Sequence, residues 1–248
     1  MAANTYFSFK KFTICQNNVA MKVGTDGVLL GAWAKGGTRI LDIGCGTGLI
    51  SLMMTQRFPE ADVVAIDIEP MACRQAVQNV ENSIYRGRVE VINMSISEYY
   101  GMMPCGIFDS IVCNPPFFNN SLKSPDVRKS IAKHADSMPF DQLLDAVSHL
   151  ISDEGQFSVV IPVSESERFD NEAIFHGFFK QRELFVKTTE NKSPKRILIE
   201  YVKHPPVHFS SSTECICSNN GRSEWYDSLT KEFYMNSSPI KLGLNRPK

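Results

Sequence analysis

The sequence predicts an α/β fold, a mainly parallel sheet with helices on both faces. Three observations predict it. From residue 39 to residue 203, short apolar and β-branched runs alternate with stretches of helical apolar spacing. That alternation calls for crossover connections, which build parallel sheets covered on both sides. The first strand is joined to the first of these helices by a turn with glycine at 44, 46 and 48. A later buried strand runs straight into Asn114-Pro115-Pro116-Phe117. In open α/β sheets the ligand site lies beyond the carboxyl ends of the strands, so both loops belong to one edge.

In chain order, Tyr6 to Ile14 alternates Phe7 and Phe9, then Phe12 and Ile14, with a slip at Lys10-Lys11. It reads as a strand with a bulge or a short hairpin arm. The two lysines are either a solvated face or an RNA contact. Val28, Leu29, Leu30 and Trp33 give helical spacing after Thr25 or Asp26 as N-cap. Strands are expected at 39–43, 62–67, 88–93, 107–113 and 155–161, and at about 180–188 and 195–203. Helices are expected at about 48–57, 70–83, 139–152 and 164–176. Pro205-Pro206 then breaks the chain, and Val207 to Ile216 forms a strand or hairpin. Trp225, Tyr226, Leu229 and Phe233 place a helix on the sheet. One domain is expected over residues 1–235, with 1–38 as an extension packed near the site and 236–248 as a mobile tail.

The composition narrows the class. A chain of 248 residues with 43% hydrophobic and 21% charged residues is ordinary for a soluble globular protein. No apolar run approaches the roughly 20 residues that span a membrane, and the start Met-Ala-Ala-Asn-Thr-Tyr lacks the marks of a signal peptide. The seven cysteines are scattered, and the close pair Cys215 and Cys217 has no partner at zinc-like spacing. Free thiols in a reducing cytoplasm, no metal and no membrane partner are therefore expected, and a monomer with them. The net charge of −1 leaves no global pull on nucleic acid, so any binding to a polyanion has to come from local basic patches.

The chemistry starts at the turn. Gly44-Cys-Gly46-Thr-Gly48 is G-x-G-x-G rather than the pyrophosphate pattern G-x-G-x-x-G. Asp42 stands two places before the first glycine. Asp67 ends the next strand, 19 residues after Gly48, where a carboxylate takes ribose hydroxyls. The turn resembles motif I of the class I methyltransferases that use S-adenosyl-L-methionine. The resemblance implies a Rossmann-like, seven-stranded sheet whose last strand is antiparallel. It also implies that Asp42 helps hold the methionine end of the cofactor. The segment opening the helix before motif I is either only a helix start or a loop that closes over that end. Its candidate residues are Lys22, Thr25 and Asp26.

Asn114-Pro115-Pro116-Phe117 fits one task. An exocyclic amine on an aromatic base is a poor nucleophile, because its lone pair is delocalised into the ring. Acceptors aimed at its N–H bonds favour the pyramidal geometry that frees the lone pair. Asn114 supplies a side-chain oxygen and Pro115 a backbone carbonyl. The prolines stiffen the loop and remove donors. Phe117 offers a face for a base to stack on, worth about 1–3 kcal/mol. The blander reading is that Pro-Pro only ends a strand. The tetrapeptide resembles the Asn-Pro-Pro-(Tyr/Phe) motif of amino methyltransferases acting on adenine N6, guanine N2 or a glutamine amide. Phe-Lys-Lys-Phe, Met21 to Trp33, both motifs and the Trp225 to Tyr234 segment together resemble the bacterial valine-tRNA adenine N6-methyltransferases, over nearly the whole chain to about residue 234. That family contacts the cofactor adenine after its third strand, often with Ala-Asp. Here Met94-Ser95 stands there, and Ser95 keeps hydrogen bonding without the charge.

The resemblance implies a tRNA partner bound through its anticodon stem-loop, with the target base turned out of its stack. Basic residues that would meet phosphates are Lys123, Arg128, Lys129 and Lys133 in a flap at 119–137, and Lys187, Lys192, Lys195 and Arg196 in the turn between the last two strands. The second cluster reaches the site only if that turn lies at the carboxyl edge. Guanine-N2 methylation of ribosomal RNA and glutamine methylation of a protein are the competing activities. Only 38 residues precede the strand that leads into the glycine turn, which disfavours the second. The competing class is a degenerate, non-catalytic RNA-binding protein on the same fold.

Overall fold

The structure is a computed structural model of the chain and describes residues 5–17, 22–116, 139–219 and 221–235. Phe117, the flap at 119–137 and the tail at 236–248 lie outside the described residues.

The chain opens on a hairpin, β1 (Tyr6–Ser8) and β2 (Thr13–Cys15). Its tight end is closed by Phe9 N–H donating to the Phe12 carbonyl at 2.8 Å. The slip at Lys10-Lys11 is therefore a turn and not a bulge. Helix α1 (Thr25–Trp33) follows, then the alternating core β3 (Arg39–Ile43), α2 (Leu49–Arg57), β4 (Asp62–Asp67), α3 (Pro70–Glu81), β5 (Val89–Asn93), α4 (Ile96–Met102) and β6 (Phe108–Cys113). The second half holds α5 (Phe140–Leu150), β7 (Ile151–Pro162), α6 (Ser166–Phe175), β8 (Phe179–Thr189) and β9 (Arg196–Val202). It ends on β10 (Ser210–Ser218), β11 (Gly221–Arg222) and α7 (Glu224–Thr230).

Among the described residues the main sheet runs β11-β10-β8-β9-β7-β6-β3-β4-β5. The seven strands from β8 to β5 are the expected ones, and β9 runs antiparallel to both its neighbours, β7 and β8. The expectation of seven strands is corrected to nine, because β10 pairs in parallel with the outer edge of β8 and carries β11 beyond it. The ambiguous Ser-rich segment thus covers what would otherwise be an open edge.

Each face of the sheet has its own apolar cluster. One joins the hairpin, α1, α2, α3 and α7 through residues such as Phe9, Leu30, Met53 and Tyr226. The other joins α4, α5 and α6 through Tyr99, Leu144, Phe157 and Phe169. Helix α1 lies close on α2 because it carries glycine where the two meet. A Cβ at Gly31 would stand 2.9 Å from the Met53 sulfur, and one at Gly27 would stand 3.2 Å from Leu49. The C-terminal carbonyls of α1 are held by Arg57, whose guanidinium donates to Gly31 at 2.9 Å and Ala34 at 2.6 Å.

Three further differences have local causes. The N-cap of α1 is Gly24, without a side-chain cap, and not Thr25 or Asp26; the Asp26 carboxylate pairs with Arg196 instead of capping the helix. Helix α4 was not expected, since it is short. It is fixed by a capping box in which Ser95 and Glu98 each satisfy the other's backbone N–H. Strand β7 starts at Ile151, not 155, directly where α5 ends.

Candidate active site

The order of the sheet reverses between β3 and β6, since β4 and β5 lie on one side and β7 on the other. Ligands bind at such a switch point, beyond the carboxyl ends of the strands. A cleft of about 430 Å³ opens there. Its walls come from residues 22–27, the glycine turn with the start of α2, Asn114 to Pro116, and Arg196. A size of this order suits a small-molecule site.

The turn is locked to the neighbouring strand. Gly44 N–H donates to the Ile66 carbonyl at 2.8 Å, Cys45 N–H to the same carbonyl at 3.0 Å, and Gly46 N–H to Asp67 Oδ2 at 2.8 Å. Gly44, Gly46 and Gly48 take φ of 72°, 56° and 79°, a region that costs other residues roughly 1–2 kcal/mol. A Cβ at Gly44 or Gly46 would meet nothing within 4 Å, so bare backbone faces open space there.

Asp42 is fully buried beneath this turn. Its Oδ2 accepts from Ser51 Oγ at 2.5 Å, and its Oδ1 has no partner among the described residues. Burial pushes its carboxyl up to about 7, opposed by the Ser51 bonds and reinforced by nearby Asp67. Asp67, at the end of β4, accepts from Gly46 at 2.8 Å and from Glu69 N–H at 2.9 Å. A carboxylate offers about four lone-pair sites, so acceptor capacity for two hydroxyls remains.

Across the cleft, Asn114 follows β6. Its Nδ2 lies 4.0 Å from where a Gly27 Cβ would sit, and its amide has no hydrogen-bond partner among the described residues. Pro115 is buried and Pro116 exposed. Lys22 and Thr25 reach the cleft from the approach to α1, both exposed. That approach is tied to the hairpin by Val23 N–H, which donates to Gln16 Oε1 at 2.8 Å.

The structure thus brings Lys22, Thr25, Gly44, Gly46, Asn114 and Pro115 to one cleft, with Asp42 beneath it and Asp67 beside it. Ser95 is different. Its hydroxyl, N–H and carbonyl all bond within the start of its own helix, to Glu98 and Tyr99. Its donors are engaged, and a lone pair on the hydroxyl and one on the carbonyl remain to accept a hydrogen bond. Asn79 was missed by sequence reading. Buried on α3, its amide donates to Cys15 O at 3.0 Å and Thr47 O at 2.9 Å and accepts from Cys15 N–H at 2.9 Å. One side chain staples the hairpin to the glycine turn. Only its burial on the inner face of α3 gives a signal, and that does not identify a staple.

S-adenosyl-L-methionine fits these residues. Its adenosyl and methionine parts would lie on the open backbone at Gly44 and Gly46, a cation would relieve the unpartnered oxygen of Asp42, and ribose hydroxyls match the free acceptors of Asp67. Among the described residues there is no cluster of His, Cys, Asp or Glu able to hold a metal ion.

Comparison with known proteins agrees. Residues 21–187 match the family model described as Methyltransferase small domain. The chain is 41% identical over 236 residues to the tRNA1(Val) (adenine(37)-N6)-methyltransferase of Bacteroides thetaiotaomicron, covering 94% of this chain and 98% of that one. It is 43% identical to the protein of that name from Phocaeicola vulgatus, at 94% and 99% coverage. A predicted O-methyltransferase from Agrobacterium tumefaciens aligns with a TM-score of 0.62 at 16% identity, over 84% of this chain and 96% of that one. P. horikoshii TYW2 in complex with MeSAdo aligns at 0.56 and 14%, over 82% and 74%. At such identities the two structures speak for the fold alone. With the glycine turn, the Asn114 loop and near full-length similarity in agreement, the chain belongs to the methyltransferase small-domain family, among relatives named tRNA1(Val) (adenine(37)-N6)-methyltransferase.

Proposed function

We propose that this protein is an S-adenosyl-L-methionine-dependent enzyme that methylates the exocyclic N6 amine of adenine in tRNA, at position 37 beside the anticodon of a valine tRNA. The observation that carries the reading is the meeting, in one cleft, of the glycine turn and an Asn114 amide without a partner among the described residues.

When bound, the cofactor supplies an electrophilic methyl group on a cationic sulfur, a good leaving group. The protein's own task is then to place a weak nucleophile and to support the charge it develops. Asn114 Oδ1 and the Pro115 carbonyl accept the two N–H bonds of the amine and orient its lone pair. As the nitrogen gains positive character those N–H bonds polarise, so both acceptors bind the transition state more tightly than the ground state; the sulfur leaves as a neutral thioether, and the methylated amine then gives up one proton to water. Phe117 stacks on the base. Gly44, Gly46 and Gly48 let the backbone approach the cofactor. Asp67 takes the ribose, and Asp42, Lys22 and Thr25 serve the methionine end. Asn114 borders the cofactor as well as the amine.

The partner surface is the anticodon stem-loop of the tRNA, and the working form is a cytoplasmic monomer. Light scattering on the purified protein should give one chain per particle. Mass spectrometry of tRNA nucleosides, with and without the gene, tests the function. Loss of N6-methyladenosine from one valine tRNA is expected. Its persistence, with loss of N2-methylguanosine from ribosomal RNA instead, would replace this reading.

A further inference from the structure

Arg196 is the one cleft-lining residue, among those described, from the chain beyond residue 116. It opens β9, opposite Pro162 of β7 and Val186 of β8, and so stands at the carboxyl edge of the sheet. Its Nε donates to Asp26 Oδ2 of α1 at 2.7 Å, and its Nη1 to the Lys195 carbonyl at 3.2 Å. Its Nη2 has no partner among the described residues. The side chains of Arg196 and Asp26 are 34% and 33% exposed, so the pair is held in place yet reachable from the cleft.

Position decides what such a group meets. Asp67 ends β4, on one side of the reversal, and marks the ribose side of the cofactor. Arg196 stands beyond β6 and β7 on the other side, past Asn114. A nucleotide whose amine reaches Asn114 brings its phosphates to the mouth on this second side. An arginine anchored through Nε and Nη1 presents its Nη2 at little further entropy cost, and a charged N–H donor of this kind suits a phosphate oxygen.

Resting on the tRNA reading above, we propose that Arg196 binds the RNA backbone at the target nucleotide, and that Asp26 is the positioning residue that aims it. Because Asp26 shares its helix start with Thr25, the same ion pair ties the RNA side of the cleft to the segment at the cofactor's methionine end.

The test is steady-state methylation of a valine tRNA transcript by wild type, Arg196→Gln, Arg196→Lys and Asp26→Ala, over a series of salt concentrations. Cofactor Kd is measured by calorimetry on the same preparations. Arg196→Gln should raise the tRNA KM roughly tenfold and flatten the salt dependence of log(kcat/KM) by about 0.7–0.9, with cofactor Kd unchanged. Arg196→Lys should keep the salt dependence and recover part of KM. Asp26→Ala should keep the salt dependence and lower kcat, since the charge stays but is no longer aimed. A Gln variant with unchanged KM and salt dependence overturns the proposal. So does one that loses cofactor affinity instead, because the anion would then be the cofactor's carboxylate. A wild-type enzyme that methylates no tRNA defeats the functional reading itself, and is distinguishable because no variant is needed to see it.

Discussion

We propose Asn114 as the residue on which turnover depends. Replacing it with Ala removes an acceptor aimed at developing charge, and such losses cost on the order of a hundredfold or more. Asn114→Ala should therefore fall at least that far in single-turnover methylation while binding the cofactor within a few fold of wild type. Asp42 makes a pH prediction. Its carboxyl is raised to about 7 from an ordinary 3.8. The buried acid thus favours folding while protonated; that contribution is full below about pH 4, falls as pH rises, and is gone once pH has passed about 7. A cationic ligand favours the ionised form instead, so cofactor affinity should climb from pH 6 to pH 8. Asp42→Asn should flatten that climb in calorimetric titrations, and a climb of equal size in the variant would remove Asp42 from the cofactor site. Asp67→Ala, losing acceptors for two hydroxyls, should weaken cofactor affinity about tenfold or more. Asp42, Asp67 and the glycines were legible because spacing after a strand fixes their place. Asn79 was not singled out, and Arg196 was named only as one of a basic cluster, without its tie to Asp26, because a staple and an ion pair between distant elements leave no local pattern.

At the scale of elements, the period of the apolar residues gave β3 to β9 and their helices to within a few residues. What it missed has physical causes. Helix α4 is only 7 residues long, and a capping box rather than an apolar stripe defines it. A strand or hairpin was expected over Val207 to Ile216 and β10 is there, but it is mostly serine and polar at its start, so no hydrophobic pattern pointed to its pairing with β8. The hairpin is kept in place largely by Asn79, Gln16 and the Phe7, Phe9 and Tyr234 rings. Asn79→Ala leaves Cys15 N–H and two carbonyls unpaired. It should cost about 1–3 kcal/mol in denaturant unfolding, with weaker cofactor binding as the glycine turn loosens. An unchanged unfolding midpoint would mean the hairpin is held by its aromatic contacts alone.

For the whole molecule, the hairpin, the sheet and α7 share one apolar cluster. We propose that the chain to residue 235 is one domain, so calorimetry should give a single cooperative transition that cofactor shifts upward as a unit. The fold places two loops far apart in sequence on the two sides of one reversal in strand order, and we propose that the activity rests on that meeting. Direct methyl transfer by the purified protein tests it best. With valine tRNA and labelled S-adenosyl-L-methionine, wild type should deposit label as N6-methyladenosine at position 37. Asn114→Ala should bind the cofactor and deposit almost none. Label on guanine, or undiminished transfer by the Asn114→Ala protein, would contradict the account.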